Sequence, residues 1–382
     1  MDLNKEFIKY CKLNDLYNLK ILLNNYNIDI NTTITRNMNT GLMEACNYGY
    51  PSIVEFLLEQ KNINFDYQNN LGQTALHLAC EKRNIKIIKI LLKKNINLNL
   101  QDMYGYTPFI LACELNNDEI IELLMEKNNL DYDLQDLGGN TALIHCYRNK
   151  NYKIINLMFN KFNLDINLQN NRKKSLIFYA CMNNDIEFIE FLLKKKDLNL
   201  NLQDLQGNIP LIYLFKNNLN QQNYLIEKFI GKINDINIKN NNDETILFHA
   251  CNSKNFKIVD FLFKKTNLNV NSKYSLLIAY YNHSYKILLH FLLDMRTDLN
   301  ILFKKNIDID IILTSLDKYL ISDKDKAFIL FRLLNNKYIN NDNKEKIKEL
   351  YKDFKLSKNE KLIVLCGDNI PFKKTKYDIF LK

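Results

Sequence analysis

The stretch Gly72-Gln73-Thr74-Ala75-Leu76-His77-Leu78-Ala79-Cys80 decides the fold, because it comes back. It returns as Gly105-Tyr106-Thr107-Pro108-Phe109-Ile110-Leu111-Ala112-Cys113 and, shortened, as Gly139-Asn140-Thr141-Ala142-Leu143. Fainter copies begin near Ser175, Ile209, Thr245 and Ser275, and upstream near Thr40 and Lys5. Successive spacings are 35, 34, 33, 34, 34, 34, 36 and 30, so nine units occupy roughly residues 3–300. Self-similarity at such a period marks an array of small stacked units in place of one shared core.

Each unit has the same internal grammar. A Thr or Ser precedes a short apolar helix, as an N-cap residue does. A second helix follows, with apolar residues at helical spacing, as in Ile87, Ile88, Ile90, Leu91 and Leu92. Then comes a strict alternation, Asn95-Ile96-Asn97-Leu98-Asn99-Leu100-Gln101-Asp102, repeated over Asn129–Asp136 and Asp197–Asp204. A period of two with turn residues after it predicts a hairpin. Neither short helix nor hairpin can bury an apolar face alone, so neighbours must stack.

These residues resemble the ankyrin repeat, whose period and T-P-L-H-x-A signature they follow over about three quarters of the chain. The resemblance implies an all-α repeat solenoid, helix-turn-helix-hairpin units stacked into a curved superhelix over residues 1–300. Residues 301–382 keep no period; Ala327–Leu334 and Lys344–Phe354 read as helical, forming a terminal cap or a small separate module. The chain departs from the family pattern in two ways. Asn95, Asn129, Asn163 or Asp197 replaces the usual Gly after the second helix, and is expected to take the left-handed conformation there. The signature His survives only as His77; Met43, Ile110, Ile144, Phe178, Ile212 and Phe248 hold that slot elsewhere.

Composition fits a folded chain: 47% of the 382 residues are apolar and 25% charged. No apolar run approaches the roughly 18 residues of a membrane span, and the start carries no secretory pattern, so the expected location is cytoplasmic. The net charge is +9, of which +6 falls in residues 300–382, with 18 Lys and Arg against 12 Asp and Glu. The 60 Asn accompany abundant Lys, Ile, Tyr and Phe, as AT-rich codons produce, and base composition is the expected cause.

Catalytic chemistry finds no footing. Cys11, Cys46, Cys80, Cys113, Cys181 and Cys251 fall six residues after the Thr or Ser position of their units, and Cys146 five after. Equivalent helices pack about 8–10 Å apart, too far for a disulfide, so these read as small buried residues at a crowded interface. Cys366 stands outside the array. No paired-Cys zinc motif occurs, and phosphate-loop, dinucleotide, zinc-protease and nucleophile-elbow motifs are all absent. His145 and Cys146 point about 100° apart on a helix, and His283 and His290 lie two turns apart. Asp308 and Asp310 alternate in an expected strand or loop. The expectation is no enzyme, no cofactor and no metal. Basic runs such as Lys93-Lys94, Lys194-Lys195-Lys196 and Lys264-Lys265 end second helices, where cations complement the helix dipole.

In the resembled family, partners bind at hairpin tips and on the exposed edge of the first helix. Carried over residue by residue, the central candidates are Met103, Tyr104 and Tyr106 at a tip, with Glu114 and Leu115 on the helix. The unit before offers Leu71, Gln73, Glu81 and Lys82; the unit after offers Leu137, Asn140 and Arg148; Arg172, Lys174 and Leu205 continue the row. The function expected is a non-catalytic adaptor or scaffold, a monomer that binds a protein partner and neither nucleic acid nor membrane. Two alternatives stay open: a nucleic-acid or acidic-surface binder acting through the basic end region, and a substrate-recognition subunit of a larger enzyme assembly.

Overall fold

A computed structural model describes residues 2–34, 36–216, 223–272, 274–303, 308–318 and 322–352. Among the described residues are 22 helices and no strand; β pairing is confined to an isolated bridge between Gln135 and Thr141. The architecture is an all-α repeat solenoid, and its contacts group into two compact units, Met1–Tyr179 and Ala180–Lys382.

In the first unit the helices come in pairs: Gly41–Tyr48 with Pro51–Leu58, Ala75–Glu81 with Ile85–Leu91, Pro108–Glu114 with Asp118–Met125, and Ala142–Arg148 with Tyr152–Lys161. First helices pack on first helices of the next pair and second on second. Helices of seven to ten residues are too short to persist alone in water; the stack stabilises them by burying Leu76, Ile87, Ile88, Leu91, Phe109, Ile120, Ile121 and Leu124. The sequence also marks their starts. The hydroxyls of Thr40, Thr74 and Thr107 accept the N–H three residues on, and Asn84, Asn117 and Asn151 do the same for the second helices. Each such cap is worth about 1 kcal/mol. In the second unit the pairs Pro210–Lys216 with Asn223–Lys232, Ile246–Asn252 with Phe256–Phe263 and Ser275–Tyr281 with Tyr285–Leu293 stack in the same manner.

Three expectations are corrected. The hairpin is present as a tight turn closed by backbone bonds such as Asp102 N–H to Tyr106 O and Asp136 N–H to Asn140 O, but the alternating runs before it form no strands. Their Asn and Asp side chains instead bond the backbone from unit to unit: the Asn97 N–H donates to Asp66, Asn99 N–H donates to Asn97 Oδ1, and Asn99 Oδ1 accepts from Asp131 N–H. Where the second position is Asn, its amide also donates onward, as Asn31 does to the Asn62 carbonyl and Asn99 to that of Asn129. The second unit repeats this ladder through Asn237, Asn269, Asn271 and Asp298. Base composition therefore does not account for where these Asn stand.

Second, Asn95, Asn129, Asn163 and Asp197 are not left-handed. Most positive-φ residues lie between the helices of a pair, at Arg83, Asn116, Lys150, Asn184 and Lys254, and in the turns after the ladder; Asn62, the counterpart of Asn129 in the unit of Thr40, does take the left-handed conformation, at φ 63°. In several later units a cation of the following unit takes the last carbonyls of the second helix instead. Lys127 reaches Leu92 at 2.8 Å, Lys161 reaches Met125, and Arg296 reaches Phe263 and Lys265. Third, Asp310 lies in the helix Ile309–Lys318 rather than in a strand, with its N–H on Asp308 Oδ1. The helices expected near Ala327 and Lys344 run Asp323–Leu334 and Asn341–Lys352; Phe354 and Cys366 lie outside the described residues.

All seven described cysteines are buried, and none is in a disulfide. Burial pushes the Cys11 thiol up to about 12, and raises those of Cys46, Cys80, Cys181 and Cys251 further. Native protein at pH 8 should therefore protect these seven from an aromatic disulfide reagent until urea unfolds it. Rapid labelling of several thiols in the folded protein would contradict this packing.

Candidate functional site

The loops between units form fingers, and each finger is built on one Asx residue. Asp102 Oδ1 accepts the N–H groups of Tyr104 and Tyr106, both at 2.9 Å; Asn69 does this for Leu71 and Gln73, and Asn170 for Arg172 and Lys174. The Gln before the Asx ties neighbours together: Gln101 donates to the Gly105 carbonyl and to the carbonyl of Gln135 in the next finger. Tips also join tip to tip, Met103 N–H to Leu71 O at 2.8 Å, Leu137 N–H to Tyr104 O at 2.9 Å and Asn171 N–H to Gly138 O at 3.0 Å. That closeness demands glycine at two turns. A Cβ on Gly105 would stand 2.6 Å from Leu137 N and one on Gly139 2.7 Å from Asn171 N, with φ at 76° and 74°. The result is a row of tips fixed in position before anything binds.

Met103, Tyr104 and Leu137 stand out from this row, 50%, 59% and 69% exposed. Tyr106 is half-buried: its ring lies 6.4 Å from that of Tyr104 and 5.6 Å from His145, edge-on. Burial and the nearby carboxylates of Glu114, Asp136 and Asp102 raise its phenol above the ordinary value. Leu71, Gln73, Leu115 and Lys174 are half-buried; Glu81, Lys82, Glu114, Arg148 and Arg172 are exposed. Glu81 is engaged locally, by Gln73 and Lys82. Asn140 is a correction. It is 8% exposed, because its amide and backbone N–H are drawn onto Asp136 and its carbonyl oxygen accepts from Asn170. Leu205, in the second unit, is exposed at its own finger tip. The chain thus brings Met103, Tyr104, Tyr106, Glu114, Leu137 and Arg148 into one neighbourhood.

Beneath the tips lies a polar cluster that the sequence reading missed. His145 is buried, with Nδ1 2.6 Å from Glu114 Oε2 and Nε2 2.8 Å from Asp136 Oδ2. Each ring nitrogen thus faces a carboxylate oxygen. His145 occupies the fourth position after the cap, where Leu78 and Leu111 stand in the units before. The same slot holds Glu44, bonded by Asn39, and Tyr179, whose hydroxyl accepts from Asn170 and Arg148. In the second unit it holds Tyr213, which donates to Asp204, and His249, 3.3 Å from Glu244 and pushed down to about 4 by burial. Aligning the units on their caps would have exposed this polar column, since from Thr40 to Thr245 the positions on either side of it are apolar except at His77. His77 plays a different part. Its Nδ1 accepts the Thr74 N–H and its Nε2 reaches the Tyr106 carbonyl at 2.9 Å, so burial keeps the ring neutral and joins two units.

Among the described residues no group of three His, Cys, Asp or Glu could hold a metal ion, and no helix is long and apolar enough to cross a membrane. The arrangement offers a preformed surface.

The family described as ankyrin repeats (3 copies) matches residues 7–102 and 97–170. Among solved structures the chain is similar to the ankyrin repeat domain of Bcl-3, a member of the IkappaB protein family. The identity is 21%, over 59% of this chain and 97% of that one, with a TM-score of 0.50, a likeness of fold alone. No curated protein matches the chain. The signature at Thr74 and Thr107, the stacked helix pairs and the family match meet in one conclusion: residues 7–170 of this chain are ankyrin repeats.

Proposed function

We propose that this protein is a non-catalytic adaptor that captures a protein partner on the finger tips and first-helix edge of its first unit. One observation carries the reading: Met103, Tyr104 and Leu137 are large, exposed and adjacent on fingers whose backbones are bonded together. Exposed apolar side chains scattered singly mean little, but a contiguous row on a rigid support is what an interface needs. Tyr gives large contact area at low cost in rotamer freedom, and a surface ordered in advance loses little entropy on association. Seven buried thiols with no disulfide among them favour a reducing, cytoplasmic setting. Residues 301–382 serve in this reading as the end cap of a repeat region spanning 1–300. Arg332 donates to the carbonyls of Leu292, Asp294 and Thr297, as the cations of earlier units do, and Asn336 bonds Asn300 in continuation of the ladder.

Tyr104→Ala should weaken capture of the partner by about 2 kcal/mol, roughly thirtyfold. Thermal stability should hold, since the side chain is more than half exposed. Calorimetry or surface capture with any partner recovered by the full chain measures both. Unchanged affinity for every such partner would remove this face from consideration.

A further inference from the structure

The tip row changes character along its length. From the second finger to the fourth it presents Leu71, Met103, Tyr104 and Leu137; at the fifth it presents Arg172 and Lys173, with Arg148 on the helix edge beside them. The two zones are contiguous, because Asn171 donates from its backbone to Gly138 O and from its side chain to Leu137 O at 2.7 Å. No Asp or Glu occupies a tip between 70 and 73, 103 and 106, 137 and 140 or 171 and 174. The acidic groups nearest the row are already engaged: Asp102 and Asp136 in their own turns, Glu114 on His145. The Arg148 guanidinium is held over the Tyr179 ring, 5.3 Å from its centre, and bonds only neutral groups, Asn140 and the Tyr179 hydroxyl. Its charge is thereby steered outward with no carboxylate in ion-pair range among the described residues.

Lys173 sits at φ 53° in the turn position that Gly72, Gly105, Gly139 and Gly207 fill in other fingers, and Met38 and Asp243 in two more. Of these side chains only that of Lys173 places an exposed cation at the tip.

Resting on the adaptor reading above, we infer that the row from Tyr104 to Lys173 takes an extended, acidic segment of a partner protein. An apolar side chain of the segment seats on Tyr104 and Leu137, and carboxylates beyond it meet Arg172 and Lys173. The charge zone sets orientation and speeds encounter, while the apolar zone supplies contact area. A nucleic acid matches the cations but not the rest: its bases need stacking faces, and Met103 and Leu137 offer none.

The test uses the full chain and fluorescence anisotropy with a labelled peptide of Glu residues interspersed with Leu and one Phe. Its comparators are the same peptide with Gln for Glu and a single-stranded oligothymidylate of equal charge. The Glu peptide should bind at least about tenfold tighter than either comparator and weaken as salt rises. Arg172→Glu with Lys173→Glu should cost about tenfold, whereas Lys61→Glu with Lys86→Glu, the same charge change on the second-helix side, should cost less than about twofold. Lys173→Gly separates binding from folding: relief of the left-handed turn holds or raises the melting temperature while peptide affinity falls. Equal affinity for the Gln peptide overturns the inference, as does oligothymidylate binding as tight as that of the Glu peptide. So does a Glu peptide that fails to bind up to about 1 mM, the range of the weakest specific contacts. If Tyr104→Ala abolishes partner capture while the Arg172 and Lys173 reversals leave it unchanged, the adaptor reading stands and the acidic segment does not.

Discussion

Phe109→Ala should destabilise the first unit by about 3–5 kcal/mol, the usual range for removing a buried phenylalanine. Phe109 is 1% exposed in the helix Pro108–Glu114 and is among the largest side chains buried completely. Its ring meets Tyr132 edge-on at 5.6 Å, and Tyr132 stacks on Phe162 at 3.7 Å, so the loss reaches beyond its own helix pair. Little collapse can fill the space. The separation between successive units is fixed independently by the finger bonds and by the Asx ladder, which do not shorten when a core side chain does. The cavity term is therefore retained on top of the transfer term. Urea unfolding followed by circular dichroism measures the effect. Because each repeat contacts only its neighbours, the variant should split the transition, with the weakened pairs melting first. A loss below about 1 kcal/mol would show that the stack closes over the gap.

His145→Ala should cost about 3 kcal/mol, for a different reason. The Asp136 carboxylate is 6% exposed, and removing the imidazole deprives a buried charge of its partner. The effect depends on pH with a definite sign. Burial pushes the Asp136 carboxyl up, but the Asn140 backbone N–H and the His145 and Asn140 side chains outweigh it and hold the group below its ordinary value of 3.8. A carboxyl depressed in the native state adds stability that is complete above its unfolded value and lost as pH falls through the native one. The gap in melting temperature between wild type and His145→Ala should thus be full at pH 6 and narrow as pH falls below about 4 toward the depressed native value at which Asp136 takes up a proton. A gap that is constant from pH 6 to pH 2 would show that lost packing against Tyr106 accounts for the destabilisation, with no part for the charge.

The parts legible in the sequence share one property: they depend on residues close together in the chain. Thr74 and Thr107 mark helix starts because a side chain caps an N–H three residues away. The run from Ile87 to Leu92 marks a buried face because helical spacing puts those residues on one side. The stack followed, since units so small have no other way to bury those faces.

The parts not legible join residues about one period apart. Asn97-Leu98-Asn99 looks like a strand because alternation is all that a strand and this ladder have in common; the acceptor that distinguishes them belongs to another unit. Asn95 looks like a left-handed cap because Lys127, 32 positions later, is what satisfies the helix end. Asn140 looks like a tip residue because its bond to Asn170 does not show in either finger alone.

By itself, then, the sequence determined the repeat, its period, the helices and the row of candidate tips, all consequences of local spacing and of the need to hide apolar surface. The tertiary structure alone decided which polar residues the stack uses up and which it leaves outward. A hydrogen bond is spent or available according to what lies across the unit boundary. Asp136 and Asn140 turn inward for that reason, and Met103, Tyr104, Leu137 and Arg172 remain at the surface.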